Sequence, residues 1–116
     1  MLKEIQTKYL QQDVQGLTRR WFQDLEQMAD LSVWHRNSVL TAFQVCLDQD
    51  LVEWRENLEF TTGWVEDREQ WYQSPVFSPD HHLNQTRFEK IKKYLEQTKC
   101  SDPWLFSSVK KEFQIL

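Results

Sequence analysis

The spacing of apolar residues in the first quarter of the chain constrains its fold more than any other feature. Leu10, Val14, Leu17, Trp21, Leu25 and Met28 follow one another at steps of four, three, four, four and three. At about 100° per residue they fall in one stripe about 80° wide, the geometry of a coiled-coil seam. Leu2, Ile5 and Tyr9 form a second stripe turned about 100° from the first, so this segment either kinks or touches something else. The seam predicts a first helix that pairs with a neighbour, within the chain or in a homodimer.

Helical spacing continues downstream. Over residues 33–49, Val33, Val39, Leu40, Phe43, Cys46 and Leu47 cover one broad side, and only Asn37, Thr41, Gln44 and Asp48 form a polar wedge. A helix apolar nearly all round is central, so this segment is expected to be the hub of the core. Residues 50–72 read as helical with a break at Thr61-Thr62-Gly63. Ser78-Pro79 supplies a cap and N1 proline for a further helix carrying Leu83, Phe88, Ile91, Tyr94 and Leu95 on one side. Ser101-Asp102-Pro103 repeats that signal for a last helix with Leu105, Phe106, Val109 and Phe113 facing inward. Two glycines and three prolines leave little turn chemistry for a β-rich chain. The expectation is an all-α fold, a compact bundle of five or six helices in a single domain over residues 1–116.

Charge bears on partners. The net charge of −4 and the pI near 5.3 argue against a dedicated nucleic-acid binder. Residues 41–72 hold eight acids against Arg55 and Arg68, whereas residues 87–116 hold seven bases against four acids. The acidic middle and the basic end are therefore expected to attract one another, within one chain or between two copies.

Chemistry-bearing motifs are sparse. Asp80-His81-His82 has metal-ligand residue types, but neighbours at a helix start point apart, and Asp80 suits the helix dipole instead. Glu53, Glu56 and Glu59 have i, i+3, i+6 spacing without the ExxH partners of a di-iron bundle, which leaves a solvated acidic face. Cys46 and Cys100 have no CxxC spacing, and neither carries a nucleophile signature. The two isolated glycines make no phosphate loop. No cofactor and no catalytic residue is expected. The chain starts without a signal-peptide pattern, and no apolar run is long enough for a membrane span, which makes the cytoplasm the default.

The aromatics remain. On one continuous helix, Phe60, Trp64 and Trp71 form a second apolar stripe beside the core stripe, rimmed by acids such as Glu66 and Asp67. Aromatics ringed by charge match the composition of interfaces, although a break at Gly63 would return Trp64 and Trp71 to the core. The sequence thus points to a non-enzymatic interaction, regulatory or adaptor protein whose partner-binding residues are Phe60, Trp64, Trp71, Glu66 and Asp67. The alternative is a nucleic-acid-associated factor using the basic region from Arg87 to Lys111, and after it a metal- or cofactor-binding bundle.

Overall fold

The structure is a computed structural model that describes residues 1–5, 16–65 and 77–115. It overturns the all-α expectation. Among the described residues the chain forms β1 (Lys3–Glu4), β2 (Leu17–Asp24), β3 (Ala29–Arg36), β4 (Val39–Leu47), β5 (Asp50–Arg55), β6 (Thr61–Val65) and β7 (Phe77–Pro79), then α1 (Gln85–Gln97) and α2 (Pro103–Glu112). The strands make one antiparallel sheet in sequence order, each paired with the next. Among the described residues there is no helical bundle, and the described part of the helical seam proposed for a dimer is not helical. Leu17 and Trp21 lie on β2, Leu25 and Met28 sit exposed in the turn that follows, and Leu10 and Val14 fall outside the described residues.

The misreading has a physical cause. Steps of four are even, so Leu17 and Trp21 share a face on a strand as well as on a helix. The hub segment 33–49 is likewise two strands and a turn. Val33 faces Phe43 across the β3–β4 ladder, and Leu31 faces Val45. Strands buried on both sides lose the clean alternation of a half-exposed sheet and read as broad apolar runs. Leu31, Val33, Phe43, Val45 and Val52 are buried on the helix-facing side, while Cys46, Leu51 and Val65 are buried on the other. β-branched and aromatic residues favour such pleated, two-sided packing.

The turns are built without glycine. Asn37, Asp48 and Asn57 take positive φ of 56°, 55° and 66°, and Met28 takes 52°. Asn and Asp tolerate this left-handed region because a short polar side chain can bond the local backbone. Two-residue turns at 37–38 and 48–49 therefore join β3 to β4 and β4 to β5. Near the first of these the β3–β4 register shifts between Trp34 and His35, leaving Thr41 as the extra residue. Its hydroxyl donates to the Trp34 carbonyl at 3.0 Å, and its carbonyl accepts from the Glu56 amide at 2.9 Å. Bulges of this kind re-aim the residues at the end of a ladder. Here those residues are His35 and Asn37.

Both helices pack on one face of the sheet. Asn84 caps α1, its side chain accepting from the Arg87 amide, so this helix starts six residues later than the Ser78-Pro79 pair predicts. Pro79 instead ends β7. α2 begins where its Asp-Pro signal places it, with Asp102 as N-cap and Pro103 in the first turn. Phe43, Phe60, Phe88 and Phe113 meet beneath the helices at centroid distances of 4.9–6.3 Å, and Trp54 stacks on Phe43 at 5.4 Å. Rings at these spacings add roughly 0.5–1.5 kcal/mol per pair beyond the area they bury.

Candidate functional site

Three polar clamps tie the helices to the sheet. At the start of α1, Arg87 donates to Asp50 of β5 at 2.8 Å and to Asp80 at 2.9 Å, and Lys90 reaches Asp50 at 2.6 Å. Thr62 completes this group by donating to Asp80 at 2.8 Å while accepting from the Asn84 amide. In the middle of α1, the buried Tyr94 hydroxyl donates to Asp24 of β2 at 2.8 Å. Burial pushes the Asp24 carboxyl upward, but hydrogen bonds from Tyr94, the Met1 amino group and the Gln27 amide outweigh it and hold the group below the usual carboxylate range. Burial, reinforced by Asp24, pushes the Tyr94 phenol well above its ordinary value. Before α2, Arg20 of β2 forks onto Glu4 at 2.6 and 2.8 Å and reaches Asp102 at 2.8 Å. The Leu105 amide, aided by Arg20, lowers the Asp102 carboxyl.

These clamps also account for the charge asymmetry along the sequence. The acidic middle and the basic last third do meet, as Asp50 with Arg87 and Lys90, inside one chain. What they leave unpaired is informative. Among the described residues, no ion pair engages Glu56, Glu59, Arg36 or Lys111.

An open cleft lies beside α2. A cleft of about 620 Å³ runs between this helix and the bulged end of the β3–β4 hairpin. Trp104, Ser107, Ser108 and Lys111 form its helical wall, at positions i, i+3, i+4 and i+7. His35, Asn37 and Ser38 form the facing wall, Arg20 and Asp102 the floor, and Leu105 and Ile115 supply apolar surface. Trp104 is 87% exposed, the most exposed of the large apolar side chains among the described residues. His35 Nδ1 lies 2.7 Å from the Asn37 carbonyl, an acceptor, so that nitrogen carries the proton and Nε2 is left as an acceptor. Among the described residues that buried Nε2 has no hydrogen-bond partner. Lys111 places a cation on the cleft wall. The cleft thus offers an aromatic anchor, three serine hydroxyls and the Lys111 ammonium.

Of the residues singled out from sequence, those described lie elsewhere. Phe60 is half-buried among Phe43, Phe88 and Phe113. Trp64 is half-buried on β6, with the Arg87 guanidinium 5.3 Å from its ring. Trp71, Glu66 and Asp67 fall outside the described residues. Asp80 serves the Arg87 clamp, whereas His81 and His82 are exposed. Glu53 lies on β5 and accepts from Arg55 at 3.0 Å, while Glu56 and Glu59 belong to the following loop, so the three do not share a helical face. Among the described residues no group of His, Cys, Asp or Glu is placed to hold a metal.

The sheet face turned from the helices carries one further polar group. Arg19 lies 5.2 Å from the Trp34 ring and donates to Ser32 at 3.4 Å. Burial lowers its pKa, with Asp30 opposing that shift. Arg19 is thus already balanced by a neighbouring carboxylate, unlike the cleft rim.

A signal for the cleft was present in the sequence. Trp104 sits about 140–180° around the helix from Leu105's neighbours Phe106, Val109 and Phe113, opposite the buried side. A tryptophan on the outer face of an amphipathic helix is the exposed large apolar group that calls for a reason. No protein-family model, curated protein or solved structure matches this chain.

Proposed function

We propose that this is a non-enzymatic interaction protein that holds a segment of a partner protein in the cleft between α2 and the β3–β4 hairpin. The observation that carries the reading is Trp104, 87% exposed on the wall of a 620 Å³ cleft. Trp is the residue type that most often dominates binding energy when a partner covers it. Lys111 on the wall favours an acidic segment, and Trp104, Leu105 and Ile115 favour one with an apolar residue at its centre.

Of the aromatic interaction surface expected from the sequence, Phe60 and Trp64 are the residues the structure describes. Phe60 and Trp64 make contacts within the chain, whereas Trp104 makes none that hides it. A nucleic-acid partner is less well supported, because Arg87 and Lys90 are already neutralised by Asp50 and Asp80. Cys46 and Cys100 are both buried as thiols, which suits a reducing compartment, so the cytoplasm is part of the same proposal. No helix among the described residues is long and apolar enough to cross a membrane.

The test is an NMR titration of the isotope-labelled chain with a synthetic peptide of glutamates around a central leucine. Shifts concentrated at the Trp104 indole and at the Ser107, Ser108 and Lys111 amides, lost in Trp104→Ala, support the reading. Shifts unchanged by Trp104→Ala, or none at millimolar peptide, overturn it.

A further inference from the structure

We infer that the cleft also takes a second copy of this chain, with the β5–β6 loop of each protomer seated in the cleft of its partner. The inference rests on the proposed binding role of the cleft and names an occupant for it. The loop spans 56–60 and presents Glu56, Asn57, Leu58 and Glu59, all exposed. Leu58 is 65% exposed between two glutamates that make no ion pair among the described residues. That is an acidic segment with an apolar centre, the chemistry that Trp104 and Lys111 favour. The intramolecular clamps neutralise Asp50, Asp80, Arg87 and Lys90, so the loop and the cleft rim hold charge still seeking a partner.

Placement turns this complementarity into a closed dimer. In a meander of antiparallel strands, alternate turns lie at the same end of the sheet. The β3–β4 turn, which walls the cleft, and the β5–β6 loop are therefore at one end, and the Glu56 amide bonds Thr41 of β4 there. Val39, 55% exposed, stands at that end as well. Because loop and cleft share an end, one two-fold axis satisfies both contacts at once, with Leu58 against Trp104 and Glu56 or Glu59 against Lys111 in each half. Such an isologous pairing closes and does not propagate.

Sedimentation of the full chain at about 100 µM, where modest interfaces associate, tests the arrangement. The expected species is twice 14.2 kDa, and it weakens with added salt. Lys111→Glu alone and Glu59→Lys alone should each weaken dimerisation about ten-fold or more, because like charges then meet in both halves. An equimolar mixture of the two variants should restore it, since in the mixed dimer one half is native and the other is charge-swapped. Circular dichroism of each variant verifies that it is folded. A 14.2 kDa species alone, a dimer indifferent to both reversals, or a mixture that fails to recover overturns the inference. If the glutamate–leucine peptide still binds a chain that stays monomeric, the occupant is wrong while the cleft's binding role stands. If Trp104→Ala leaves peptide binding unchanged, the binding role itself fails.

Discussion

α1 and α2 follow one another in sequence, lie on the same sheet face and bury similar apolar stripes, yet they are held in opposite ways. α1 buries Ile91, Tyr94 and Leu95 and is also clamped by charge, with Arg87 and Lys90 on Asp50 and Tyr94 on Asp24. α2 buries Phe106 and Val109 and is tied through its N-cap, where Asp102 meets Arg20. Beyond that turn its outer residues Trp104, Ser107, Ser108 and Lys111 face a cleft. Polar groups on α1 complete the fold, whereas those on α2 are left available. Substitutions should therefore separate the two helices by which property they change.

The largest effect belongs to the core the helices share. Phe43 is fully buried and touches Trp54, Phe60 and Phe113, so Phe43→Ala should cost about 3–5 kcal/mol in denaturant unfolding. A loss below about 1 kcal/mol would place Phe43 outside the core.

Next comes the α1 clamp. Arg87→Ala removes the cation that serves both Asp50 and Asp80, each mostly buried, and should cost about 1.5–3 kcal/mol. Arg87→Lys should recover only part of that, because an ammonium cannot fork onto two carboxylates. Equal stability of Arg87→Ala and the wild type would show that the Arg87 clamp adds nothing to the hold on α1.

The Tyr94–Asp24 clamp adds a smaller, pH-dependent effect. The folded Asp24 and Asp102 carboxyls are lowered, so their stabilisation is complete above the ordinary carboxyl value of about 3.9 and is lost as pH falls below it. The folded Tyr94 phenol is raised, so its stabilisation is complete below the ordinary value of about 10 and is lost as pH rises beyond it. In melting temperatures across pH, Tyr94→Phe should flatten the alkaline decline. It should also make the acid decline shallower, because Asp24 loses a donor. An unchanged alkaline limb would count against the clamp.

How much of this was legible in the sequence depended on which signals were unambiguous. Asp102-Pro103 fixed the start of α2, and Phe106, Val109 and Phe113 are buried as their spacing implies. Ile91, Tyr94 and Leu95 are likewise buried on α1. The sheet was missed because residues 17–65 are buried on both faces in part, and because Leu17 and Trp21 fit period 2 and period 3.6 equally well. The scarcity of glycine misled too, since Asn37, Asp48 and Asn57 make the positive-φ turns that glycine usually supplies. The cleft was illegible for a different reason. Its walls come from 35–38 and 104–115, which only the meander and the packing of α2 bring together. Trp104 alone carried a local hint, through its position opposite the buried side of α2.

The smallest expected change in stability is also the most telling. Trp104 is almost wholly exposed, so Trp104→Ala should leave the unfolding free energy within about 0.5 kcal/mol of the wild type. The decisive measurement is the affinity of this variant for the glutamate–leucine peptide, taken beside that of the wild type at the same low salt. If the outer face of α2 is a binding surface, removing its anchor should weaken the affinity about thirty-fold, the scale of a hot-spot tryptophan. Equal affinity in the two proteins would contradict the account.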